Sequence, residues 1–334
     1  VGVRLIAYLS IVAEGQRDKM IHVKNLTKKY GGFVAISDLN FHVGRGEIVG
    51  LLGPNGSGKS TTLRILSTYM AATYGSVQID GLDLFDDAAE IRKRIGYMPE
   101  NNPLYSDMRV REYLKFRAQL KGLTYQQSRT RVDQILSECG IEDAQHKLIG
   151  TLSLGYRQRV GIADALVHNP DLVILDEPTL GLDPNQIRSI RQLIKDLAGK
   201  HTVLISSHIL HEIEMTCTRV LILQRGRIIA SDDTQHLQNL IALNPHVMAE
   251  IKAPLDALSN AWKAFTNVES VDISSSNGDY YRCVIAFRND SKDPREIVFS
   301  LVKQNNWELR ELTMNRPSLE DAFVQLTRQN EKSY

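Results

Sequence analysis

Apolar positions along this chain follow two periods, and the periods alternate. Ile21–Asn25 and Ser37–Val43 read as short strands, the second alternating sides as a half-buried strand does. Glu47–Leu52 is a strand that runs into a glycine-rich turn. In the next stretch, Ser60–Met70, Leu63, Leu66 and Met70 fall at helical spacing, so the order is strand, loop, helix. Ser76–Asp80, closed by Gly81, reads as an edge strand and turn. From about 103 to 169 the pattern is mostly helical, with Val110–Leu120 and an amphipathic Thr124–Cys139 closed by Gly140. Leu172–Leu175 is an apolar run too short for a helix, and it ends in two acids. Gln186–Leu197 gathers Ile187, Ile190, Leu193, Ile194 and Leu197 on one side, and Thr202–Ser206 and Val220–Gln224 read as buried strands. Such alternation predicts an α/β fold with a mainly parallel sheet covered by helices.

The pattern changes near Leu240. His246–Ile251, a helix near Leu255–Phe265, Val268–Ile273, Tyr280–Phe287, a helix near Arg295–Gln304 and Trp307–Leu312 follow in turn. That order, β-α-β-β-α-β, predicts a small α+β domain at 245–330 with a closing helix at Leu319–Thr327. It is set off from the larger unit, 20–235, by a joint near 232–245. Val1–Lys19 reads as a leader upstream of Met20 or as a disordered arm. A signal peptide is the third reading, but no A-x-A site follows.

Composition narrows the function. Of 334 residues 43% are hydrophobic, an ordinary share for a chain with a sizeable core. Lys and Arg total 40 against 39 Asp and Glu, so charge balance gives no reason to expect nucleic acid as a partner. Cys139, Cys217 and Cys283 form no CxxC pair, which points away from a disulfide framework or a zinc site and toward a reducing cytoplasm. No stretch reaches the roughly 20 apolar residues that cross a bilayer.

The chemistry concentrates in two places. Gly53-Pro54-Asn55-Gly56-Ser57-Gly58-Lys59-Ser60, with Thr61 after it, matches G-x-x-x-x-G-K-[ST] between a predicted strand and a predicted helix. Glycines let backbone N–H groups converge on phosphates, and the helix start adds positive charge. Lys59 can reach the β- and γ-phosphates of ATP, and the Ser60 hydroxyl can ligate Mg²⁺. The run Leu172–Leu175 then delivers Asp176 and Glu177 at the end of a buried strand. Asp176 is expected to hold Mg²⁺ through water and Glu177 to polarise the attacking water. A plainer reading of the acids is a helix N-terminal pair, which Pro178 also permits.

Between these two motifs lies Leu152-Ser153-Leu154-Gly155-Tyr156-Arg157-Gln158-Arg159. Here the chain resembles the ABC ATPases, whose signature is LSGGQ, with Leu154 and Tyr156 as departures and Ser153 and Gly155 retained. The resemblance implies a P-loop NTPase fold carrying an antiparallel β subdomain and a helical subdomain. It gives Tyr30 the adenine-stacking place, Leu180-Gly181-Leu182-Asp183 the dimer-facing loop, and His208 the switch that contacts the γ-phosphate. Glu100 stands where the family has glutamine; it is expected at the Mg²⁺ site through water, or else is structural. The resemblance also implies that Ser153 and Gly155 complete the site of a second copy, or of a related ATPase. The segment Val110-Arg111-Glu112-Tyr113-Leu114-Lys115-Phe116 resembles ATPases that power drug, polysaccharide and gliding-motility exporters, as loosely does the tail Ser318-Leu319-Glu320-Asp321-Ala322-Phe323. That branch implies a peripheral subunit on the inner face of the cell membrane, held by an integral-membrane permease. The other reading is an ABC-type ATPase that remodels a macromolecular assembly.

Overall fold

The computed structural model describes residues 19–233, 246–262, 265, 268–276, 279–287 and 293–315. The leader or arm up to residue 18, most of the joint at 232–245 and the helix Leu319–Thr327 lie outside the described residues. Two compact units divide the chain, one ending at Thr234 and the next starting at Gln235.

The first two strands, β1 (Lys19–Tyr30) and β2 (Phe33–Gly44), form a hairpin turned at Gly31-Gly32 and run well beyond the predicted ends. Asn25 and Asp38 take left-handed φ values of +50° and +54°, and the pairing slips between Val23 and Leu26. Each slip resets the side to which side chains point, so an unbroken alternation cannot be read across it. β3 (Ile48–Leu52) is buried at every position and leads through the glycine turn to α1 (Lys59–Leu66). α1 stops short of the expected Met70. Thr68 turns left-handed at φ +62°, and the N–H groups of Thr68 and Tyr69 fold back onto the carbonyls of Ile65 and Arg64. β4 (Tyr74–Ile79) and β5 (Leu82–Asp83) complete an antiparallel sheet in the order β2-β1-β4-β5.

The remainder of the first unit alternates as expected. It runs α2 (Ala88–Arg94), β6 (Ile95–Met98), α3 (Val110–Leu120), α4 (Tyr125–Glu138), α5 (Leu154–Leu166), β7 (Leu172–Asp176), α6 (Pro184–Lys195), β8 (Thr202–Ser207), α7 (Leu210–Thr216), β9 (Arg219–Gln224) and β10 (Arg227–Asp233). The Thr124 hydroxyl caps α4, and Asp164 on α5 binds Tyr113 and Arg117 of α3, which fastens the helical layer. The central sheet runs β10-β9-β3-β8-β7-β6, parallel except at β10. Its register places Leu52 beside Ser207 and Asp176 beside Ser206. The ends of β3, β8 and β7 therefore share one row, where parallel sheets bind ligands.

The second unit is β11 (His246–Lys252), α8 (Leu255–Ala261), β12 (Val268–Ser275), β13 (Tyr280–Phe287), α9 (Pro294–Gln304) and β14 (Glu308–Asn315). The order β-α-β-β-α-β is the one expected, on an antiparallel sheet β12-β13-β11-β14. Val247, Ile251, Leu258, Trp262, Ile285 and Val298 form a core of its own. Neither nucleotide motif lies in it. A chain ending at Leu240 is therefore expected to bind ATP with the affinity of the full chain; a folded truncation with no nucleotide binding by calorimetry would overturn that.

Candidate functional site

The glycine turn is shaped by contacts that only glycine tolerates. Gly56 and Gly58 have φ of +77° and +109°. A Cβ on Gly58 would sit 2.6 Å from Ile36 Cγ2 and 2.9 Å from the Ala35 carbonyl, and one on Gly53 would strike the Leu223 carbonyl. The α1 helix that follows has no side-chain cap and no acid in its first turn, so its free N–H groups and positive end suit an anion. Lys59 is only 6% exposed. Its ammonium donates to the Gly53 carbonyl at 2.7 Å and lies 3.5 Å from Glu177 Oε1.

Opposite stands the end of β7, buried along its whole length. Asp176 Oδ1 accepts from the hydroxyls of Ser206 at 2.6 Å and Ser60 at 3.3 Å. Burial raises the pKa of Asp176, the two hydroxyls pull it back, and the Glu177 charge raises it further. Asp176 Oδ2 is buried with no hydrogen-bond partner. Glu177 is held at a left-handed φ of +49°, a conformation that costs a non-glycine residue roughly 1–2 kcal/mol. Its N–H donates to Ser206 Oγ at 2.9 Å, and its Oε2 lies 2.9 Å from His208 Nδ1. One serine thus fixes both acids, while Lys59 and His208 flank the second.

Gly56, Gly58, Lys59, Ser60, Glu177 and His208 open into a cleft of about 480 Å³, which also takes in Tyr30, Phe33, Ala35, Asn55, Thr61, Glu100 and Leu180. Cations and glycine N–H groups line one part, and aromatic rings another. That is a place for a polyphosphate joined to a flat base. The oxygens of Ser60 and Asp176 suit a hard divalent ion, and the unpartnered Asp176 Oδ2 is an acceptor waiting for a hydrated one. Among the described residues, no three His, Cys, Asp or Glu form a cluster able to hold an ion.

The ABC transporter family model matches residues 36–180. The uncharacterized ABC transporter ATP-binding protein YhcH of Bacillus subtilis is 33% identical over 92% of this chain and 96% of its own. The bacitracin transport ATP-binding protein BcrA of Bacillus licheniformis is 35% identical over 92% of this chain and 97% of its own. This chain belongs to the ATP-binding subunits of ABC transporters. A solved dimer of the ATP-binding cassette MJ0796, in a post-hydrolysis state with ADP and Pi, matches with a TM-score of 0.59 at 30% identity over 64% of this chain and 99% of that one. As an ABC ATPase the chain binds ATP, hydrolyses it and powers a membrane transporter.

In this ABC ATPase the fold brings Tyr30, Asn55, Gly56, Gly58, Lys59, Ser60, Thr61, Glu100, Glu177 and His208 to one cleft. Gly53, Pro54 and Ser57 shape the turn behind it: Lys59 binds the carbonyls of Gly53 and Pro54, and Ser57 N–H closes onto Pro54. Ser153, Gly155 and Asp183 do not line the cleft. Ser153 is exposed and caps α5; Asp183 caps α6 by accepting from the N–H groups of Asn185 and Gln186. Gly155 is buried, and a side chain there would meet Gln186 of α6 at 2.8 Å. The Tyr30 hydroxyl is tied to Met70 Sδ at 2.9 Å.

Sequence reasoning missed Phe33, Ser206 and Tyr97; Leu180, expected on the dimer-facing loop, also lines this cleft. Phe33 is 65% exposed, three residues after Tyr30 on the same hairpin, a spacing that could have marked it. Burial, then the charge of Asp176, pushes the pKa of the Tyr97 hydroxyl up to about 12, against a smaller opposing pull from Arg64.

Proposed function

We propose that this ABC ATPase is the motor of an exporter, working as two copies closed head to tail on a membrane permease. The observation that carries the pairing is the position of Ser153. It is exposed, yet it stands outside the cleft that holds Lys59, Glu177 and His208 of its own chain. A site that needs both halves is then completed by a neighbour, and two copies about a two-fold axis supply both halves at once. The dimer of the related MJ0796 cassette supports this reading.

Within each site Lys59 and the loop N–H groups bind the phosphates, and Tyr30 and Phe33 offer faces to the base. Ser60 and Asp176 would hold Mg²⁺, with Glu100 lining the same cleft; when bound, the ion would offset phosphate charge. Glu177 takes the proton of the attacking water, and His208 orients Glu177 through their hydrogen bond. Hydrolysis removes the γ-phosphate that bridges the copies and loosens the pair.

Among the described residues, no helix is long and apolar enough to cross a membrane. The permease supplies the span, and the chain sits against it on the cytoplasmic face. Export is supported by BcrA, a relative named for bacitracin transport. The second unit, with its own core and no catalytic motif, steadies or regulates the pair. Affinity capture of the chain from detergent-extracted membranes is expected to recover a polytopic membrane protein in stoichiometric amount. Recovery of ribosomes, DNA or no membrane partner would overturn the transporter assignment.

A further inference from the structure

Glu212 takes no part in the cleft, yet it is a carboxylate only 8% exposed. Its Oε2 accepts from the Thr179 hydroxyl and from the Ser207 hydroxyl, the latter at 3.3 Å. Thr179 stands two residues after Glu177, and Ser207 directly precedes His208. The two hydroxyls therefore come from the two segments that carry the Glu177–His208 pair. Glu212 itself is anchored elsewhere. It belongs to α7, whose next residue, Ile213, packs so closely over Gly50 of β3 that a Cβ on Gly50 would lie 2.6 Å from Ile213 Cγ2. Ser207 Oγ also accepts from Ile209 N–H at 3.0 Å, which tightens the turn between β8 and α7.

The turn that Thr179 belongs to is under strain. Glu177 holds a left-handed φ of +49°. Such a conformation persists only where its surroundings over-determine it. One restraint is Glu177 N–H on Ser206 Oγ, upstream of the turn. Downstream, Leu180 N–H donates to the Glu177 carbonyl at 3.1 Å, and Thr179 on Glu212 is the side-chain restraint.

We propose that Glu212 is a positioning residue for hydrolysis: its buried carboxylate, fixed on α7, clamps the turn after Glu177 to the end of β8 and so keeps Glu177 and His208 in register. The clamp works through accepted hydrogen bonds and never touches nucleotide. This rests on the reading of Glu177 as the residue that activates water.

The test is steady-state ATP hydrolysis by the full chain. A small misplacement of a reacting group costs up to about 10²-fold, so Glu212→Ala is expected to lower kcat by about 10- to 100-fold with KM for ATP unchanged. Thr179→Val removes the other end of the clamp at nearly constant shape and is expected to do the same. The double variant is expected to be no slower than Glu212→Ala alone, because both changes break one link. Glu212→Gln keeps an acceptor oxygen of the same reach and is expected to stay within about threefold of wild type. If Glu212→Ala proves unstable, Thr179→Val carries the test by itself. Wild-type kcat in Thr179→Val, a raised KM with kcat intact, multiplicative losses, or a Glu212→Gln as slow as the alanine variant would each overturn the clamp. Glu177→Gln is assayed beside them. If it hydrolyses at the wild-type rate, the reading of Glu177 fails; if it is slow while Thr179→Val is normal, the clamp alone fails.

Discussion

Glu177→Gln is expected to bind Mg-ATP like the wild type and to hydrolyse it about 10²–10⁴ times more slowly, the general scale for a proton-accepting group. The substitution preserves size and leaves the phosphate-binding groups untouched. Lys59 keeps its bond to the Gly53 carbonyl, and Asp176 keeps both hydroxyl partners. An amide can still bond to His208, but it cannot take a proton from water. Binding without turnover leaves the γ-phosphate in place between two copies, so the closed pair accumulates. Size exclusion should show a dimer in Mg-ATP and a monomer without nucleotide. A wild-type hydrolysis rate would remove Glu177 from its role. A persistent monomer at saturating ATP would mean that the second half of each site comes from an ATPase of different sequence.

The parts of this site that were legible in the sequence are those whose residues are neighbours in the chain. Gly53 to Ser60 carry their own geometry, because the glycines, the lysine and the helix start lie within one turn. Asp176 and Glu177 announce themselves by ending an apolar run. What was not legible depends on register. Ser206 reaches Asp176 only because β8 pairs with β7 in that alignment, and a serine closing an apolar strand carries no mark of it. Glu212 reads as an ordinary helical acid until α7 is seated on β3. Strand length failed where Asn25 and Asp38 turn left-handed, since alternation is lost at each slip. In the second unit the strands β11 and β13 pair from His246 to Lys252 without a slip, and the element order was read correctly.

Ser153→Arg is expected to abolish the ATP-dependent dimer of Glu177→Gln while leaving nucleotide binding to the single chain intact. Ser153 is exposed and does not line its own cleft, so its loss subtracts nothing from the contacts that one chain makes with ATP. Its hydroxyl accepts from Tyr156 N–H at the long distance of 3.4 Å and can turn toward a partner's γ-phosphate. Arginine brings a bulky side chain and a fixed positive charge to the start of α5, where the helix end is already positive. A flexible guanidinium could attract phosphate, so bulk is the deciding effect: two copies that meet at a small hydroxyl cannot close over a side chain several atoms longer. Losing the cap also weakens α5, typically by about 1 kcal/mol. Ser153→Ala separates these effects, because it loses the cap and the hydroxyl without adding volume. It is expected to dimerise weakly, at higher ATP, with the same thermal stability as the arginine variant. If Ser153→Arg in the Glu177→Gln chain still elutes as a dimer in Mg-ATP, the copies do not meet at Ser153. The pair must then close through another face, and the head-to-tail arrangement is wrong for this chain.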